Sequence, residues 1–259
     1  MHFSRFFTLI VLVGFLLMGA STSFSQVCPT KDTAEKAMAK AFKQELQVEK
    51  VATSVIPGLC QAVIKFRGQS RVVYMDTKGE FIIAGQIFSA SEGVNITAET
   101  VKELNRFSRA ELAKLDDLVA FTVGKKGKTF FFVTDPQCPY CKKGEEVITK
   151  MVASGAITAK FLLYPLAFHK GSKEEAISII CDNKGLEGLK TNYKSQNQCA
   201  EGKKKVEDTV KFLQSKGVLG TPTYIFTDGL PHSGFLKEDQ LRKVLGKVEA
   251  GSKKETQKK

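Results

Sequence analysis

The chain has 259 residues, room for one or two domains, with 42% hydrophobic and 25% charged residues. That balance is globular and excludes a fibrous or disordered chain. The formal charge of +12 comes from 39 lysines and arginines against 27 acidic residues. The basic residues are spread along the chain, without zinc-finger spacing or a ribonucleoprotein-type aromatic motif. A solvated basic surface is therefore expected, with no nucleic-acid partner.

In chain order, Arg5 precedes an apolar run over residues 6–20, followed by small residues at 21–25. This pattern reads as a cleavable secretory leader, residues 1–25, cut near Ser25–Gln26 or at Ala20–Ser21. The run is short for a membrane span, and an uncleaved anchor is the alternative reading. Export leads to an oxidising compartment, where six cysteines suggest disulfides. Residues 32–49, rich in Ala, Lys, Glu and Gln, read as a surface helix. Three strands are expected over 61–66, 71–75 and 81–87, with turns at Gly68 and at 76–79. This N-terminal module, 26–97, is small for an independent core, and its open sheet edge invites pairing with a second copy. Residues 98–116 read as a helical linker, capped by Thr97 at its start and by a Ser108-to-Glu111 capping box further on.

The second domain, 117–250, is organised around residues 129–141. Apolar, aromatic and β-branched residues over 129–134 predict a buried strand. A turn then delivers Cys138-Pro139-Tyr140-Cys141 to a helix marked by Val147, Ile148, Met151 and Val152. Pro139 suits the first helical position. Cys138 at a helix N-terminus is expected to ionise below the free thiol value of about 8.5. Cys141, one turn on, faces the body of the domain. An exposed attacking sulfur beside a sheltered resolving one suits thiol–disulfide exchange. A zinc knuckle or an inert disulfide is the alternative, but a zinc site wants a second close pair, and Cys181 and Cys199 are 18 apart. No metal or cofactor is expected. Further on, 159–166 reads as a strand, 172–181 and 203–217 as helices, Thr221-Pro222 as a loop ahead of a strand, and 238–248 as a helix. Residues 251–259 read as a disordered basic tail. His169 and His232 are placed on the surface. Of the other cysteines, Cys181 and Cys199 lie in one later region and are expected to pair; Cys28 and Cys60 pair only by elimination, since sequence does not establish connectivity.

The strand, the Cys138–Cys141 motif and the Gly220-Thr221-Pro222 loop together resemble the thioredoxin fold. With Val133-Thr134-Asp135 ahead of the motif, and the small sheet and linker helix before it, residues 45–250 resemble the periplasmic DsbC/DsbG family of disulfide isomerases. The resemblance implies an α/β thioredoxin fold with a helical insertion. An α+β, cystatin-like dimerisation domain and a linker helix would precede it. It also implies a V-shaped homodimer and a cis Thr221–Pro222 bond against the sulfurs, with Pro139, Tyr140, Thr221 and Pro222 meeting the substrate. A Cys181–Cys199 pair suits that family; Cys28 and Cys60 depart from its pattern, and Pro139-Tyr140 is similar to the DsbG branch. The implied function is isomerisation or reduction of non-native disulfides in misfolded or oxidised exported proteins by Cys138 and Cys141. A membrane thiol reductant of the DsbD kind would keep the pair reduced. Two alternatives stay open: reduction of sulfenylated single cysteines, and a dimeric chaperone that holds unfolded chains without sulfur chemistry.

Overall fold

The computed structural model describes residues 27–256, so the expected leader lies outside the described residues. The first helix, α1 (Lys31–Phe42), begins at Thr30, whose side chain accepts the Thr33 N–H, and ends at Lys43 in the left-handed region. The chain then turns into β1 (Gln47–Thr53), where a continuous helix to residue 49 was expected. Helix-favouring residues are overridden here by antiparallel pairing with the next strand. Strands β2 (Leu59–Phe66) and β3 (Gln69–Asp76) form a hairpin. Its two turn residues, Arg67 and Gly68, both have positive φ, as a primed hairpin turn requires. The expected third strand over 81–87 shrinks to β4 (Ile82–Ile83), because only Ile82 and Ile83 find register with β3. The Asp76 carboxylate accepts the N–H groups of Lys78, Glu80 and Phe81 and so folds the intervening turn.

The order β1-β2-β3-β4 makes a four-stranded sheet. Its core is small: Ala34 and Met38 from α1 pack on Val48, Ala62, Ile64, Val73 and Met75. Cys28 and Cys60 are joined, stapling the start of the described chain to β2. Closing a 32-residue separation removes chain entropy worth about 3–4 kcal/mol.

Two short strands, β5 (Phe88–Ser89) and β6 (Val94–Asn95), lead into α2 (Ile96–Leu104). Its cap is Asn95, which accepts the Ala98 N–H at 2.9 Å, and not Thr97 as expected. Thr97 is buried instead; its hydroxyl accepts the Ile87 N–H and bonds the Tyr74 hydroxyl. Helix α3 (Arg109–Asp117) carries the expected capping box between Ser108 and Glu111.

The second sheet contains β7 (Phe121–Val123), β8 (Lys128–Thr134), β9 (Ile157–Leu163), β10 (Thr223–Phe226) and β11 (Pro231–Ser233), in the order β11-β10-β8-β9-β7. Helix α4 (Pro139–Ala153) crosses from β8 to β9, which pair in parallel. Helices α5 (Ser172–Cys181), α6 (Gly185–Lys190) and α7 (Ala200–Ser215) are inserted between β9 and β10. Cys181 ends α5, Cys199 caps α7, and the two are bonded. Helix α8 (Glu238–Thr256) closes the chain and runs on through most of the stretch expected to be a disordered tail. β7 and α6 were not foreseen: each is too short to show a period. This is the thioredoxin fold with a helical insertion, preceded by a small α+β module.

Strand β8 is buried on both faces, and its alternate residues feed separate cores. Phe130 and Phe132 pack with Ile148 and Met151 of α4 and Leu241 and Leu245 of α8. Phe131 and Val133 pack with Leu115, Phe212 and Leu213 on the other face. Gly144 lets α4 close onto this sheet: an added Cβ would lie 2.9 Å from Phe132 and 3.0 Å from the Tyr224 hydroxyl. Helix propensity alone favours Ala over Gly by about 1 kcal/mol, whereas overpacking costs about 1–3 kcal/mol. Gly144→Ala is expected to destabilise, and a rise in its urea midpoint would show that the sheet yields.

Candidate active site

The buried strand β8 ends at Thr134, and the turn Asp135-Pro136-Gln137 carries the chain to Cys138, the N-cap of α4. The turn is held by Asp135, which is fully buried. One carboxylate oxygen accepts the Gln137 N–H at 2.7 Å; the other accepts the Leu166 N–H at 2.6 Å and faces His169 Nδ1 at 3.0 Å. Gln137 extends the tie by donating to the Lys170 carbonyl and to Glu175. His169 thus sits behind the cysteine turn and not on open surface as expected, because the buried Asp135 carboxylate needs polar partners and His169 Nδ1 comes within reach of it. His232 lies on β11, exposed.

Cys138 and Cys141 are both unbonded thiols. Cys138 Sγ accepts the Cys141 N–H at 3.4 Å and lies 3.6 Å from the Thr221 carbonyl. The Thr221–Pro222 bond is cis. The Pro222 carbonyl accepts the Gly234 N–H, anchoring this loop against β11. The Thr221 hydroxyl is buried without another partner and faces both sulfurs. Cys138 is only 5% exposed, which corrects the expectation of an open sulfur: the loop ahead of β10 lies over it. Tyr140 beside it is 59% exposed, and Phe168 and Leu219 are exposed too.

The two thiols are pushed apart. The Cys141 side chain, the Thr221 hydroxyl and the N–H groups of Cys141 and Tyr140 outweigh burial and hold the Cys138 thiol down to about 5. Burial and its bond to Cys138 push the Cys141 thiol up, so it stays protonated.

One group was missed by sequence reasoning. Glu145 is 3% exposed, four residues after Cys141 on the same buried face of α4. It accepts a hydrogen bond from the Thr134 hydroxyl at 2.9 Å, and Thr134 also borders the Cys141 sulfur. Burial pushes the Glu145 carboxyl above the usual glutamate range. The available signal was a carboxylate at a position where the helical stripe calls for an apolar residue.

The family profile described as a thioredoxin-like domain matches residues 116–249, a little over half of the chain. A second, described as the disulfide bond isomerase protein N-terminal domain, matches residues 25–98. The chain belongs to the thioredoxin-like family, as a DsbC/DsbG-like thiol:disulfide interchange protein. The probable thiol:disulfide interchange protein DsbC of Bordetella avium is 25% identical over 230 residues, covering 88% of this chain and 80% of that protein. The thiol:disulfide interchange protein DsbG of Pseudomonas aeruginosa is 20% identical over 209 residues, 73% of this chain and 80% of its own. The crystal structure of a disulfide interchange protein from Neisseria gonorrhoeae aligns at TM-score 0.44 and 22% identity, over 51% of this chain and 95% of that one. This DsbC/DsbG-like chain is a thiol-disulfide oxidoreductase.

Ultraviolet titration of the reduced protein should show one thiolate forming near pH 5, absent in Cys138→Ala; a midpoint in the ordinary thiol range near 8.5 would contradict the assignment. A thiol whose folded midpoint is depressed stabilises the fold above its unfolded midpoint and loses that contribution as pH falls through the folded one. The reduced parent should therefore gain stability over Cys138→Ala between about pH 5 and pH 9. Glu145 has the opposite sign: its raised midpoint means stability is lost as pH rises past the normal glutamate range. Glu145→Gln should be more stable than the parent at pH 7 and lose that advantage below about pH 4, as followed by chemical unfolding.

Proposed function

We propose that this chain isomerises or reduces non-native disulfides in exported proteins, with Cys138 as the attacking thiolate and Cys141 as the resolving thiol. The observation that carries this reading is the separation of the two acidities within one helical turn, under the Thr221 loop. The Cys138 sulfur attacks a substrate disulfide, forms a mixed disulfide and releases one substrate thiolate. A substrate thiolate then attacks the mixed bond and frees Cys138, giving a reshuffled substrate with no net electron transfer. Alternatively Cys141 attacks Cys138, so the substrate leaves reduced by two electrons and the enzyme leaves oxidised. Cys141 must lose its proton in that branch, and the Thr134 hydroxyl with Glu145 behind it supplies an internal acceptor. A thiol reductant, a membrane protein of the DsbD kind, is required to restore the pair.

Pro139, Tyr140, Thr221 and Pro222 are assigned to substrate contact. Exposed Tyr140 in the motif itself and exposed Leu219, two residues ahead of Thr221, offer apolar surface suited to an unfolded segment. The periplasm is the proposed compartment, supported by the leader pattern at 1–25 and by the Cys28–Cys60 and Cys181–Cys199 bonds. Among the described residues no helix is long and apolar enough to cross a membrane.

The proposed assembly is a homodimer through the module at 26–97, with 98–116 as linker and 117–250 as the catalytic domain. Among the described residues its β4 edge pairs only with β3, and Phe81 and Ile83 are exposed there. Sedimentation should give twice the monomer mass, and Ile83→Lys should lower it; a monomeric parent would sink the dimer.

In refolding of scrambled ribonuclease, Cys138→Ala should fall to the uncatalysed rate. Cys141→Ala should retain attack but accumulate mixed disulfide, and Glu145→Gln should slow substrate release without slowing the first attack. Full activity in Cys138→Ala would remove the basis of the assignment.

A further inference from the structure

The first sheet touches the second domain directly as well as through the linker helices. The turn of the β2–β3 hairpin reaches the C-terminal end of α7, where two glycines meet backbone to backbone. Gly68 has φ +79° and Gly217 has φ +69°. A Cβ on Gly68 would run into the Gln214 carbonyl and lie 2.7 Å from the Gly217 nitrogen; one on Gly217 would lie 2.9 Å from the Gln69 nitrogen. No side chain larger than hydrogen fits on either side of this contact. Gln69 Nε2 adds a bond, donating to the Gly217 carbonyl at 3.0 Å.

The next residue is gripped from the linker. Asn105, which caps the end of α2, accepts the Ser70 N–H and donates to the Ser70 carbonyl, both at 2.8 Å. Further ties run from the linker to the second sheet's domain, among them the Phe107 N–H donating to the Gly229 carbonyl at 2.8 Å and Lys216 pairing with Glu111 at 2.9 Å. Gly217 itself closes α7, donating to the Gln214 carbonyl, while Val218 donates to the Leu213 carbonyl. Four residues beyond Gly217 is Thr221, whose carbonyl and hydroxyl face Cys138.

We propose that the hairpin turn Gly68-Gln69 is a latch, which holds the catalytic domain against the first sheet and fixes the start of the loop that lays Thr221 over Cys138. Gly68 and Gln69 are positioning residues, acting on the sulfur only through residues 217–221. The latch goes beyond the proposed chemistry, since the docking stands whichever reaction Cys138 performs.

The test is amide hydrogen exchange on the full, reduced chain, with the Cys138 titration as a second readout. The variants are Gly68→Ala, Gln69→Ala and, as a control, Gly58→Ala. Gly58 also has positive φ, but an added Cβ there meets nothing within 4 Å, so it carries the backbone strain without the clash. Amides 216–218 should exchange about 3–10-fold faster in Gln69→Ala and by more in Gly68→Ala. The Cys138 midpoint should rise in both and stay put in Gly58→Ala. Parental exchange at 216–218 in both latch variants overturns the proposal, as does equal acceleration in Gly58→Ala, which marks a general loosening of the first sheet. If Gly68→Ala fails to fold, Gln69→Ala decides alone. Faster exchange with an unmoved Cys138 midpoint overturns the link to Thr221.

Discussion

An anionic sulfur held at the first turn of α4 is the constraint on which the rest of the structure depends. Cys138 is nearly enclosed, and an enclosed anion is costly unless donors surround it. Its donors are the unpaired N–H groups of a helix start, one thiol and one hydroxyl. All of them must stay within hydrogen-bonding distance, which demands a rigid frame. Strand β8 supplies it: with cores packed on both faces, a one-residue slip would drive Phe130 and Phe132 into the wrong layer. Strand β10, paired to β8 in register, carries Thr221 to the sulfur from the other side.

Within that frame the same enclosure has opposite effects on two thiols three residues apart. Cys138 sits where donors converge and is held ionised. Cys141 has the deeper position, where burial dominates, and it serves as a donor to its neighbour. Glu145 lies a turn further into the same face and shares Thr134 with Cys141. The interior holds one negative charge comfortably and two poorly.

The modules solve stability differently. The thioredoxin domain has two aromatic layers around β8 and uses Cys181–Cys199 to tie α5 to α7 in its insertion. The first sheet has a core of small and medium side chains, and it relies on a disulfide from Cys28 and on contacts beyond itself. One of those contacts is the glycine contact with α7; on the opposite side, Phe81 and Ile83 at the β4 edge are exposed.

Local pattern made the cysteine strand, α4, the capping box at Ser108, the turn at Gly68 and the Cys138–Cys141 pair legible, because each rests on neighbours within a few residues. By itself the sequence determined that a pair of cysteines, the first at the helix start, follows a buried strand in a chain that resembles the thioredoxin fold. Tertiary structure alone decided what covers that pair. The Thr221 loop shelters Cys138 from 83 residues away, and Asp135 turns His169 inward. Residues 47–49 became strand because β2 offered them a partner that their helical propensity could not outweigh. Thr97 gave up the cap to satisfy a buried tyrosine. Glu145 and the meeting of Gly68 with Gly217 belong to the same class. Periodicity reports which face of an element is apolar, but burial of a charge and backbone contact depend on partners distant in sequence, which only the folded chain brings together.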